Sequence, residues 1–144
     1  MGFRVTITAV DSNILIDIVG ADPVHGPGSR AALELCARHG TLIVCSEVVA
    51  EFASGCQSVD QALEILSALS IDYVDTGAIN AAMAGQARGR KRNAGRVIAD
   101  CLIAAHAAAH ANQLLTRDAE FARMGNSGLV VVTPQDIAVS DKKK

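Results

Sequence analysis

The sequence predicts an α/β fold, a parallel sheet covered by helices on both faces, and two observations carry that reading. Short runs rich in β-branched residues (RVTITAV, TLIVC, IDYV, QLLT and LVVV) recur along the chain. Between them lie longer stretches whose apolar residues repeat at helical spacing. Such alternation marks strand–helix–strand units, whose strands run parallel and are buried on both faces.

Residues 4–10 form the first strand, which stops at Asp11-Ser12-Asn13. ILIDIV (14–19) begins a short helix. Pro23, Gly26, Pro27 and Gly28 then predict an irregular loop. Ser29 caps a helix reaching about His39, ended by Gly40. Strand two is 41–45, and Ser46 caps the helix after it, which Gly55 ends. Ser58 opens another helix, 71–74 is strand three, and Asp75 or Thr76 caps the next helix. The polar, basic RGRKRNAGR (88–96) reads as a loop. The longest and most apolar helix follows, from about Arg96 to Ala111. Strand four is 113–116, a turn and short helix cover RDAEFARM, strand five is 129–132, and Pro134 begins a terminal turn. Nothing resembles a linker or an internal repeat. The expectation is one domain over residues 1–140 and a short charged tail, 141–144.

Composition narrows the function classes. At 144 residues the chain buries roughly 70% of its unfolded surface and folds without staples. Half of it is apolar and 19% is charged, which argues against disorder. Aromatic residues make up 3%, so stacking on exposed bases is not the expected mode of any nucleic-acid contact. The net charge of −2 means that a polyanion partner needs a local basic patch or bound metal ions. Cys36, Cys45, Cys56 and Cys101 show no C-x-x-C pair and read as buried thiols in a reducing, cytoplasmic compartment. No run approaches the roughly 18 apolar residues of a membrane helix, so a membrane is not an expected partner.

The informative feature is where the acids fall. Asp11 follows strand one, Glu47 and Glu51 follow strand two, and Asp118 lies two residues past strand four. In open α/β sheets the site forms at the carboxyl ends of the strands, so three segments deliver carboxylates to one edge. Asp100 sits among Val97, Ile98, Cys101, Leu102 and Ile103, where an unpaired charge is costly to bury. Clustered carboxylates either take up protons or hold a cation. Carboxylate oxygens suit Mg2+ or Mn2+, and those ions suit hydrolysis of phosphodiesters. Each acid also has a plain structural reading: Asp11 in an Asx turn, Glu47 at a helix dipole, Glu51 as a solvated helical acid, Asp118 as a helix cap.

These residues resemble PIN domains. Asp11-Ser12-Asn13 is similar to the opening motif of that family, and SEVVAEF (46–52) to its second, an alignment that selects Glu51 over Glu47. ADCLIAAHAAAHANQLLTRDAEF (99–121) is similar to the third and fourth motifs. The match spans nearly the whole chain, and its compact size resembles the VapC toxins of toxin–antitoxin pairs. The resemblance implies a PIN-like three-layer fold with a five-stranded parallel sheet flanked by helices. It implies a Mg2+- or Mn2+-dependent endoribonuclease, a homodimer and a VapB-like antitoxin that blocks the site. Asp11, Glu51, Asp100 and Asp118 map onto the acidic quartet, with Asp11, Asp100 and Asp118 as metal ligands and Glu120 as the fallback for Asp118. Asn13 and Thr116 map as positioning residues.

On the substrate side, Arg90, Lys91, Arg92 and Arg96 read as an RNA-contacting strip leading to Asp100, or else as a solvated loop or as pairing with an acidic partner. Arg117 either contacts a phosphate or neutralises an acid. His106 and His110 form an i, i+4 pair with no third metal ligand in sight, and a packing role is expected. Cys101 has no His placed to activate it. Two other functions compete with a nuclease. One is a non-catalytic PIN-like module that only binds RNA or protein. The other is a doubly wound phosphatase, weakened by Asn13 where an Asp-x-Asp is needed.

Overall fold

The computed structural model describes residues 5–90, 96–124 and 128–142. Five parallel strands form one sheet: β1 (Thr6–Val10), β2 (Gly40–Val44), β3 (Ile71–Tyr73), β4 (Gln113–Leu115) and β5 (Val131–Val132). Their order across the sheet is β3-β2-β1-β4-β5. Helices α1 (Ser12–Val19) and α2 (Gly26–His39) join β1 to β2. Helices α3 (Ser46–Ala53) and α4 (Val59–Ala68) join β2 to β3, and α5 (Ala78–Gly89) and α6 (Ile98–His110) lie between β3 and β4. A 3-10 turn, Ala119–Arg123, leads towards β5, and α7 (Pro134–Lys142) ends the described chain. The expected five-stranded parallel α/β sheet is the observed one.

The topology positions the site. The first three strands are laid down outward from β1 on one side, and β4 and β5 are added on the other. The order therefore reverses between β1 and β4, and the connections leaving their carboxyl ends part there, which opens a crevice. The backbone ladder continues past β1, since Asp11 N–H donates to the Leu115 carbonyl at 3.0 Å. That fixes the depth of Asp11 against β4.

The core is aliphatic, as the composition requires. Val10, Ile14, Leu15, Leu42, Val44, Val48, Ile103, Leu114 and Leu115 are buried with Phe52 and Phe121. In α6 the buried positions include Cys101, Ala104, Ala105 and Ala107, small side chains that let the helix lie close to its neighbours. Gly40 opens β2 beside Thr6, and a Cβ there would stand 1.9 Å from the Thr6 carbonyl oxygen, so only glycine fits.

Several details differ from expectation. The N-cap of α3 is Cys45, with Ser46 already its first helical residue, and the N-cap of α5 is Gly77 rather than Asp75 or Thr76. The Pro/Gly run does not stay irregular through Ser29, because α2 starts at Gly26 with Pro27 in its first turn. First-turn amides have no intrahelical acceptor, so the missing N–H of proline costs nothing there. Ser29 is accordingly inside the helix and buried, not its cap. Pro134 likewise begins a nine-residue helix rather than a turn. Thr133 and Asp136 cap it reciprocally: Thr133 N–H donates to Asp136 Oδ2 at 2.9 Å, and Asp136 N–H to Thr133 Oγ1 at 3.2 Å. Among the described residues no helix is long and apolar enough to cross a membrane.

Candidate active site

Four separate segments bring carboxylates to the crevice. Asp11 leaves β1 and is the N-cap of α1. Glu51 stands on α3, whose Val48 and Phe52 are buried and so fix which face turns outward. Asp100 lies in the first turn of α6, and Asp118 caps the 3-10 turn beyond β4.

Asp11 is 5% exposed and, among the described residues, is held only by neutral donors. Its Oδ1 accepts from Ser12 N at 2.7 Å, and its Oδ2 from Thr116 Oγ1 at 2.7 Å and Asn13 Nδ2 at 3.2 Å. Thr116 is the hub. While donating to Asp11, its hydroxyl accepts from Asn13 Nδ2 at 3.2 Å and from Asp118 N at 3.0 Å. One buried hydroxyl thus ties the end of β1 to the acid-bearing turn after β4. Ser12, which sequence reasoning treated only as a turn residue, offers its hydroxyl both to Asp11 Oδ1 at 3.4 Å and to Glu51 Oε1 at 3.2 Å. It has one proton for two acceptors, so it joins the two acids without satisfying both.

The carboxylates sense one another. Burial raises the pKa of Asp11, the hydrogen bonds from Thr116 and Ser12 oppose the rise, and the charges of Asp100 and Asp118 add to it. Glu51 is also raised, first by burial and then by Asp11, Asp100 and Glu47 against the Ser12 hydrogen bond. Asp100 is raised by burial and by Asp118, with Arg96 pulling the other way. Glu120, the fallback acid, is exposed and faces Arg123 at 3.4 Å.

The basic residues separate into unlike groups. Arg90 is exposed at the end of α5 and reaches Gln86 Oε1 at 3.2 Å. Lys91 and Arg92 lie outside the described residues. Arg96 does not stand on a solvated strip. It is drawn into the acids, with Nη2 at 2.8 Å from Asp118 Oδ2 and 3.3 Å from Asp100 Oδ2. Arg117 takes the acid-neutralising option of the two left open. Its Nε and Nη2 bind Asp17 Oδ2 and Oδ1 at 2.6 and 3.1 Å, and Ser29 Oγ donates to Asp17 Oδ2 at 2.8 Å. Asp17 is buried, and sequence reasoning passed over it. The signal was present: an acid inside ILIDIV, one helical turn after Asn13. Arg117 N–H also donates to Asn13 Oδ1 at 3.2 Å, so this ion pair braces the same turn that carries Asp118.

The remaining candidates are structural. His106 is buried, and desolvation pushes its pKa down to about 4, so it is neutral at pH 7. His110 Nε2 lies 3.1 Å from the Thr76 carbonyl oxygen. The four cysteines are free; burial raises the Cys101 thiol and pushes Cys45 up to about 11, so neither ionises at neutral pH.

The donor set suits a hard divalent cation. It consists of carboxylates alone, and three of them are held above their ordinary pKa in one crevice, an excess of negative charge that a cation relieves. Among the described residues no three acids or other ligating side chains form a ready-made cage. The fit is therefore to an ion held loosely by some of these carboxylates and completed by water, as Mg2+ prefers.

The profile of the PIN domain family matches residues 8–127. In fold, the chain is similar to a chain of the Rickettsia felis VapBC2 complex bound to a promoter DNA fragment, at 26% identity and a TM-score of 0.67, covering 88% of this chain and 98% of that one. It is similar to a chain of a toxin–antitoxin complex from Klebsiella pneumoniae, at 26% identity and a TM-score of 0.66, covering 88% and 97%. It shares the fold of Mycobacterium tuberculosis VapC20, a sarcin–ricin loop cleaving toxin, at 14% identity and a TM-score of 0.62, covering 84% and 97%. No curated protein matches the chain in sequence.

Proposed function

Because the chain belongs to the PIN domain family, we propose that it is a metal-dependent endoribonuclease and the toxin of a type II toxin–antitoxin pair. One observation carries the reading. Asp11 is buried with no salt bridge among the described residues, in a crevice where Asp100 and Asp118 raise its pKa further. A protein that keeps such a charge without pairing it spends stability, and active sites are where that spending recurs.

The residues divide the work. Asp11, Asp100 and Asp118 would hold Mg2+ or Mn2+; Thr116 and Asn13 fix the Asp11 carboxylate, and Thr116 also ties it to the Asp118 backbone. Bound there, the ion would supply positive charge against the negative charge that develops on the phosphate and the leaving oxygen. Glu51, exposed at the rim and with a raised pKa, accepts the proton of the attacking water. Arg90, Lys91 and Arg92, at the α5–α6 connection, contact backbone phosphates and position the strand without reading its sequence.

The similarity to chains from two toxin–antitoxin complexes supports a VapB-like antitoxin as partner. Val59 and Leu63 on α4 and Ile79 and Met83 on α5 are exposed apolar side chains, which we assign to contacts with a second copy of the chain. The assembly acts in the reducing cytoplasm, where the four free thiols persist.

The test is direct. Purified protein with Mg2+ or Mn2+ should cleave RNA and stop when the metal is chelated. Asp11→Asn and Asp100→Asn should abolish cleavage while the circular dichroism spectrum is unchanged. Equal cleavage by those variants removes the assignment.

A further inference from the structure

Arg96 is a cation already seated among the carboxylates. It precedes α6 and is 22% exposed, and its guanidinium carbon lies 4.8 Å from the centroid of the buried Phe121 ring. A single atom, Nη2, serves both Asp118 at 2.8 Å and Asp100 at 3.3 Å. Its Nε is buried and has no hydrogen-bond partner among the described residues. Arg117 offers the contrast, because it spends Nε and Nη2 on the two oxygens of one carboxylate. That fork-to-fork geometry is the strong form of the pair. Arg96 instead divides one nitrogen between two acids and leaves Nε unspent, which neutralises charge without locking either acid.

Two of the three acids assigned to the metal are those that Arg96 holds, and the same oxygens cannot serve both cations at close range. We propose that Arg96 is an exchangeable counterion, seated on Asp100 and Asp118 in the metal-free protein and displaced from them when a divalent cation binds. The inference rests on the metal-dependent reading above. It gives Arg96 a different role from the phosphate-contacting strip. In the metal-free protein it relieves the repulsion between Asp100 and Asp118, and the Phe121 face keeps the guanidinium close by.

The experiment is Mn2+ binding to the full-length protein at neutral pH, followed by the electron paramagnetic resonance signal of the free ion, with thermal unfolding alongside. Arg96→Gln should tighten Mn2+ binding about tenfold, because a competing charge within ion-pair distance of two ligands is gone. It should also lower the metal-free Tm and enlarge the rise in Tm that Mn2+ produces. Arg96→Lys, which keeps the charge, should stay near wild type. Arg123→Gln, which removes a cation paired with Glu120 outside the cluster, should change nothing. Phe121→Leu removes the stacking face, leaves every carboxylate in place and should tighten binding in the same direction as Arg96→Gln. Equal Mn2+ affinity in wild type, Arg96→Gln and Phe121→Leu overturns the counterion role and leaves the metal site standing. Equal tightening by Arg123→Gln assigns the effect to net charge and overturns it too. Absence of Mn2+ binding in both wild type and Arg96→Gln removes the metal reading itself, and the counterion with it.

Discussion

Two buried acids belong to the α1 segment, Asp11 as its N-cap and Asp17 within it, and the chain treats them oppositely. Asp17 receives both prongs of Arg117 and the Ser29 hydroxyl, so its charge is paired and its oxygens are satisfied. Asp11, similarly buried, receives only hydroxyl and amide donors, and its charged neighbours Asp100 and Asp118 have its own sign. The first arrangement links β4 to α1 and α2 and serves stability. The second leaves charge unpaired among the described residues at the switch point of the sheet and, in the proposed function, serves metal binding. Burial alone does not distinguish a functional acid from a structural one; the identity of its partners does.

Substitutions sharpen that contrast, beginning with the largest effect. Asp11→Asn should lower RNA cleavage by on the order of a thousandfold, the usual scale for removing one preorganised charge from a reacting centre. The same change should raise the metal-free Tm, because it removes a buried repulsive charge while leaving most of the hydrogen-bond network. A fall in Tm, read by calorimetry, would make Asp11 a structural acid like Asp17. Asp17→Asn should do the reverse and cost about 2 kcal/mol in urea unfolding, less than a fully buried pair because Arg117 is about one-third exposed and can turn to water. Cleavage should then fall only as far as the Thr116–Asp118 turn loosens.

pH dependence sets the two kinds of buried group against each other. His106 has its folded pKa depressed to about 4, so between that value and 6.5 the unfolded chain binds the extra proton. Stability rises with pH across this window and should fall by about 2 kcal/mol between pH 7 and pH 5. Asp11, Glu51 and Asp100 have raised folded pKa values, so the folded state binds the extra protons and metal-free stability increases as pH falls towards the ordinary carboxylate range. Denaturant unfolding of His106→Gln should reveal this rise, and Asp11→Asn should flatten it; a loss of stability on acidification that persists in His106→Gln contradicts the assignment. The smallest effect belongs to Glu120→Gln, whose cleavage should match wild type, whereas Asp118→Asn should be impaired. The opposite result in a cleavage assay would make Glu120 the fourth acid.

Periodicity and β-branched runs were enough for the layout of strands and helices, because those signals are local: burial on a sheet or a helix face repeats at a fixed spacing. The same holds for the positions of Asp11, Asp100 and Asp118 at element ends. Errors arose where one residue type has two local meanings. Pro27 and Pro134 read as breakers but sit in first turns, and Thr133 with Asp136 spells a capping box that was legible in T-P-Q-D.

What the linear order determined by itself was the α/β class, the aliphatic core and which acids lie at the ends of elements, since each depends on neighbours a few residues apart. Which cation meets which acid was decided only by the fold. Arg117 is 100 residues from Asp17, Arg96 is 22 from Asp118, and Thr116 is 105 from Asp11. Charges interact through space at a few ångströms, and only the closing of β4 against β1 brings those side chains within that range.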